Sequence, residues 1–155
     1  MTTDARVAVV TGANRGIGHE IVRQLASRGI TTVLTARDPA MAEAAAVALE
    51  REGLPVVPRR LDVTDQGSVD ELAASLEAEP GRLDILVNNA GVLLDETVSG
   101  TEPDLDLIRA TLETNLFGAW RVTAALLPLM RRGGSGRIVN VSSGSGQLDD
   151  MLGGS

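Results

Sequence analysis

The sequence predicts an α/β domain built on a doubly wound parallel sheet, and three observations carry that expectation. Short runs of Val, Ile and Leu alternate with stretches whose apolar residues recur every three or four positions, the pattern of successive strand–helix–strand units. The apolar runs are continuous, as expected where helices cover both faces of a sheet. Pro55 and Pro58 fall beside or within the third run, and a proline cannot donate to a ladder on both sides. That strand therefore belongs at an edge, where the order 3-2-1-4-5 puts it.

The elements follow in sequence. The first strand spans Arg6–Thr11 and the first helix Ile17–Arg28, with Gly29 placed as a C-terminal cap. The second strand, Thr31–Ala36, leads to a helix over Pro39–Glu52. Pro39 suits a first helical turn, where no N–H is needed, and Gly53 closes the end. The third strand, Leu54–Arg60, precedes a helix over Gln66–Glu79, and the fourth strand is Leu83–Asn88. A long helix, Asp104–Met130, carries the stripe Leu105, Ile108, Leu112, Ala119, Val122, Leu126 and Leu129.

Asn115 is the only polar member of that stripe, so it is expected to be buried, where unmade amide bonds cost about 1–3 kcal/mol. Pro128 removes one bond near the helix end. A flank of mostly small residues, Leu107, Thr111, Thr114, Gly118 and Ala125, suits close approach of another helix. The fifth strand, Arg137–Ser142, has no proline or charge across Ile138–Val141 to blunt pairing. The sheet is expected to be unfinished on that side.

Composition narrows the function classes. The 155 residues amount to one domain, 1–155, with 43% hydrophobic and 23% charged residues. A net charge of −7 disfavours a nucleic-acid or anionic-membrane surface. There is no Cys and one His, His19, so no metal site is expected, and His19 is placed on the solvent face of the first helix. No segment has the length or flanks of a membrane span or secretory leader, which makes a cytoplasmic location the default. Phe117 and Trp120 are expected in the core or at a subunit contact. All fourteen basic residues are arginines, and Tyr is absent as well as Lys.

Chemistry-bearing residues cluster where strands end. Thr11-Gly12-Ala13-Asn14-Arg15-Gly16-Ile17-Gly18 joins the first strand to the first helix. Glycines there let the backbone turn tightly and approach a pyrophosphate, and a helix N-terminus attracts the anion. By itself such a turn also serves as a plain tight connection. Asn88-Asn89-Ala90-Gly91 closes the fourth strand and Asp62-Val63 the third; alone, these read as an Asx-turn and a helix start. Ser142, Ser143 and Ser145 crowd the end of the fifth strand.

In this order and spacing the motifs resemble those of the short-chain dehydrogenases/reductases, over Arg6 to Gly146. The likeness implies a Rossmann fold and a carbonyl-reductase-like, NADP(H)-dependent oxidoreductase. Such an enzyme transfers hydride between nicotinamide C4 and the carbon of a small carbonyl or secondary alcohol. It implies cofactor binding by Gly12, Asn14, Arg15, Gly16, Ile17 and Gly18, by Asp62 and Val63 at the adenine, and by Asn89, Ala90 and Gly91 at the ribose. It gives Ser143 the substrate carbonyl, by the Ser-x-x-Gly pattern with Gly146; Ser142 is the runner-up. Asn115 bends its helix and holds a water in the proton relay.

Cofactor preference is set at Ala36-Arg37. An enzyme using NAD usually places a carboxylate there for the ribose 2′-hydroxyl. Here Arg37 offers a planar fork suited to a 2′-phosphate, and Arg15 a second. The family's proton donor, a Tyr tuned by a Lys four residues on, falls at or beyond Ser155. The chain is thus expected to be the front part of an enzyme, lacking later strands and the fifth helix, and inactive alone. Two other classes remain open: a non-catalytic NADP(H)-binding module, and a fragment completed by a partner chain. A homo-oligomer is the expected assembly.

Overall fold

The computed structural model describes residues 6–94 and 102–143. Five parallel strands, β1 (Val7–Val10), β2 (Thr31–Ala36), β3 (Val57–Arg60), β4 (Ile85–Asn88) and β5 (Arg137–Asn140), form one sheet in the order β3-β2-β1-β4-β5. The helices are α1 (Gly16–Ser27), α2 (Pro39–Arg51), α3 (Gln66–Ala78), α4 (Leu105–Leu112) and α5 (Ala119–Arg132). A π-helical segment, Glu113–Gly118, joins α4 to α5 without a break.

The continuous apolar runs are explained by the two cores. Val9, Val33 and Leu86 pack with Leu72, Leu76, Val122, Leu126 and Leu129 from α3 and α5. Their successors Val10, Leu34 and Val87 pack with Val22, Ala42, Ala45 and Leu49 from α1 and α2. Successive strand residues point to opposite faces, so a sheet covered on both needs apolar residues at every position.

β3 lies at an edge of the sheet, and single bonds show why Pro58 fits there. Leu61 N donates to Ala36 O (2.8 Å), so alternate residues Arg59 and Val57 face β2. Pro58, in register with Leu34, turns its missing donor outward. At the other edge every residue of β5 is exposed, including Ile138 and Val139.

Several expectations need correction. Of the two settings expected for Phe117 and Trp120, a core or a subunit contact, the core is excluded, since they are 49% and 70% exposed. His19 is half-buried instead of solvent-facing, and its Nδ1 is shielded without a hydrogen-bond partner among the described residues. The small-residue flank is partly used within the chain, since Ala125 packs on the core that includes α3 and Gly118 is buried against Val63.

The expected single helix also changes phase. A π segment inserts a residue, which rotates the residues before it by about 100° relative to those after it. Val122, Leu126 and Leu129 are therefore buried while Leu105 and Leu112 are exposed. Asn115 lies inside the segment and is exposed, against the expectation that it is buried.

Candidate functional site

The glycine turn is fastened to the end of β4. Thr11 closes β1 and is buried; its Oγ1 accepts from Asn89 N (3.0 Å) and Ala90 N (2.9 Å). Asn89 returns the contact, donating from Nδ2 to Thr11 O (2.9 Å) and Gly12 O (3.0 Å). Gly12 has φ +60°, and a methyl there would lie 2.9 Å from Ala90 Cα. Both the conformation and the space demand glycine. Behind the turn, Gly18 is buried against Asn89, again with no room for a side chain.

The helix that follows presents a bare N-terminus. Asp38, Asp65 and Asp104 cap α2, α3 and α4 by accepting from backbone N–H groups, but Arg15 places no side-chain bond on α1. Gly16 and Ile17, which open α1, line a cleft of about 380 Å³, where a helix N-terminus attracts negative charge. That cleft is lined by Gly12, Asn14, Arg15, Gly16 and Ile17 from the turn and by Arg37 after β2. Asp62 and Val63 line it after β3, and Asn89, Ala90 and Gly91 after β4. Every predicted cofactor-binding residue except Gly18, which lies behind the turn, meets in this one space.

Asp62 is held as an anion by its surroundings. Burial pushes its carboxyl upward, but Thr64 outweighs this with hydroxyl (2.7 Å) and N–H (3.0 Å) bonds to Oδ1. The guanidinium charges of Arg37 and Arg60 act in the same direction, leaving the carboxyl below its ordinary range. Asp62 thus forms an Asx-turn instead of the helix start it reads as alone: the cap of α3 is Asp65, whose Oδ1 accepts from Gly67 N (3.0 Å). Thr64, Val92 and Thr114 also line the cleft. Sequence reasoning passed over them, and over the part played by Thr11, for which a hydroxyl ending an apolar strand was the available signal.

A second cleft, of about 670 Å³, opens between β4, β5 and the long helix. Asn115, Ser142 and Ser143 line it together, with Trp120 at its side. Asn115 holds the loop after β4: Oδ1 accepts from Val92 N (2.8 Å) and Nδ2 donates to Val92 O (2.7 Å). Buried Asn88 donates from Nδ2 to Asn140 Oδ1 (2.8 Å) and Thr123 Oγ1 (3.1 Å), tying β4, β5 and α5 together. Gly146, the partner of Ser143 in the sequence pattern, lies outside the described residues, as does Ser145. The two clefts share Asn89, Ala90 and Gly91, so the one that holds the arginines and the one that holds the serines adjoin at a common wall.

A parallel sheet with this order, a glycine turn under a bare helix N-terminus, and polar groups at the carboxyl ends of β4 and β5 define a nucleotide-binding dehydrogenase fold. The model of the family described as short chain dehydrogenase matches residues 6–153. The chain belongs to this family. It is 40% identical to (+)-neomenthol dehydrogenase of Arabidopsis thaliana, over 95% of this chain and 56% of that protein. It is 44% identical to carbonyl reductase [NADPH] 1 of Bos taurus, over 92% of this chain and 50% of the relative. The structure of menthone neomenthol reductase from Mentha piperita superposes with a TM-score of 0.84 at 38% identity, covering 94% of this chain and 62% of that one. The chain therefore spans about half the length of the curated relatives it matches. No helix among the described residues is long and apolar enough to cross a membrane, and none of their His, Asp and Glu residues group as a metal site.

Proposed function

We propose that the two adjoining clefts bind NADP(H) and a small carbonyl or alcohol substrate, as part of an oxidoreductase. The single observation that carries this reading is the shared wall Asn89–Gly91, which sets the glycine turn beside a second cleft that Asn115, Ser142 and Ser143 line. The fit to a dinucleotide is physical. Gly12 leaves a cradle that any Cβ would fill, and the N-terminus of α1 is uncapped. Arg15 and Arg37 stand on the same cleft with no carboxylate at position 36 or 37. A bidentate guanidinium suits a 2′-phosphate.

When bound, the cofactor supplies the hydride, and the protein binds, orients and polarises. Arg37 and Arg15 hold the 2′-phosphate, Asp62 and Val63 flank the adenine, and Asn89, Ala90 and Gly91 flank the ribose. Ser143, with Ser142 beside it, donates to the substrate oxygen in the second cleft. Asn115 fixes the Val92 loop and with it the nicotinamide side of the space. The sequence contains neither Tyr nor Lys. The residues in hand thus account for binding and polarisation, with no phenol to act as acid. A homo-oligomeric assembly and a cytoplasmic setting complete this reading.

The test is cofactor discrimination. Arg37→Ala removes a charge-assisted bond worth about 1.5–3 kcal/mol, so NADPH binding should weaken roughly tenfold or more. NADH binding should stay nearly unchanged. Equal affinity of the unaltered protein for NADPH and NADH would refute the assignment.

A further inference from the structure

The nucleotide cleft is lined by Val63, from the loop after β3, and by Thr114, from the π segment, among others. These two elements lie about fifty residues apart in the chain, and one side chain bonds both. Arg121, on the first turn of α5, donates from Nη1 to Val63 O (2.7 Å) and from Nη2 to Glu113 Oε1 (2.7 Å). Glu113 is the residue before Thr114, so the two ends of the guanidinium grip the two sides of the cleft wall. Arg121 is largely shielded, its side chain 22% exposed. Between the anchors Gly118 lets the helix settle on Val63, since a methyl at 118 would come within 2.6 Å of Val63 Cγ2.

We infer that Arg121 is a positioning residue for the adenine end of the bound cofactor, acting through the carbonyl of Val63. The inference rests on the reading of this cleft as an NADP(H) site. Three features separate the arrangement from an ordinary surface ion pair. The guanidinium accepts no alternative geometry without losing one anchor, because its donors form a rigid fork. One anchor is a main-chain carbonyl of a cleft-lining residue, so a displaced guanidinium moves the wall itself. The other anchor opens the segment that carries Asn115, which links the adenine side of the cleft to the loop held at Val92.

The experiment is titration of 2′,5′-ADP into the unaltered chain, Arg121→Met and Arg121→Lys, at a temperature well below each protein's thermal transition. Arg121→Met should bind roughly three- to tenfold more weakly, the loss expected for one or two hydrogen bonds. Arg121→Lys keeps the charge but reaches only one anchor, and should fall between. A role confined to holding α5 in place would lower the thermal midpoint of Arg121→Met and leave its affinity unchanged; that result overturns the inference. If Arg121→Met does not fold, full affinity in Arg121→Lys overturns it equally. Failure of the unaltered, folded chain to bind 2′,5′-ADP would instead refute the cofactor assignment on which this rests.

Discussion

Replacing Thr11 by Val should detach the glycine turn from β4 while leaving the core shape intact. Thr and Val are both β-branched and nearly equal in size, and Thr11 is 1% exposed, so the packing change is small. The chemical change is not small. The Thr11 hydroxyl is the acceptor for the N–H groups of Asn89 and Ala90, and a valine methyl accepts neither. An orphaned buried donor costs about 1–3 kcal/mol. Asn89 and Ala90 are only half-buried, so water relieves part of that, and the pair should cost about 2–3 kcal/mol in total. Thr11→Ser provides the control: it keeps both bonds and loses one methyl, worth about 0.8 kcal/mol in transfer. Urea denaturation at constant slope reads both differences as midpoint shifts. The expected order is unaltered protein, then Thr11→Ser, then Thr11→Val, with NADPH affinity falling in the same order as Gly12 loses its seat on Ala90. Thr11→Val at least as stable as Thr11→Ser would show that the hydroxyl does not hold the two loops together.

Other outcomes follow from separate features. Burial raises the Asp84 carboxyl, but bonds from Arg82 and Val7 N and the charges of Arg82 and Arg6 bring it below its ordinary value. Its contribution to stability is therefore full above the unfolded carboxyl's pKa of about 3.9 and is lost as pH falls through the lower folded value. Asp84→Asn should flatten that acid limb in pH-dependent unfolding, and an unchanged limb would refute it. NADPH oxidation with activated ketones should be slow for these 155 residues, since a positioned general acid contributes about 10²–10⁴-fold; rates within tenfold of a full-length relative would refute a mechanism that needs a phenol. Leu112, Leu116, Phe117 and Trp120 are exposed apolar residues between the end of α4 and the start of α5, so the chain should self-associate. Trp120→Glu should shift it toward monomer in sedimentation, and a monomeric unaltered chain would refute the expectation.

Local chemistry made much of this protein legible. Strand order followed from Pro58 because a missing donor is a property of one residue, and Leu61 N shows that the donor points where the argument requires. The meeting of these residues in one cleft was legible because they end strands, and the topology brings all those ends to one edge of the sheet. Gly12, Arg37, Asp62 and Asn89 are distant in sequence yet needed no long-range packing argument to be assembled. Thr11 was harder: its hydroxyl is one atom in an apolar run, and its acceptor role appears only once β4 lies beside β1.

The long helix shows where residue-level reading stops. Periodicity assigns faces by counting from a single phase, and a π segment changes that phase while leaving the helix unbroken. Val122, Leu126 and Leu129 keep the predicted inward face, but Leu105 and Leu112, counted from the same stripe, emerge on the surface. The displaced turn is held from outside the helix. Arg121 fixes its start at Glu113, Gly118 fixes its end against Val63, and Asn115 occupies Val92 from the middle. Each of those contacts joins residues more than twenty positions apart except the Arg121–Glu113 pair, whose spacing of eight matches no turn of a regular α-helix. An Arg eight residues after a Glu therefore carries no signal in the sequence. The two become neighbours because the intervening turn holds an extra residue, and the same distortion brings Asn115 out of the core to line the second cleft.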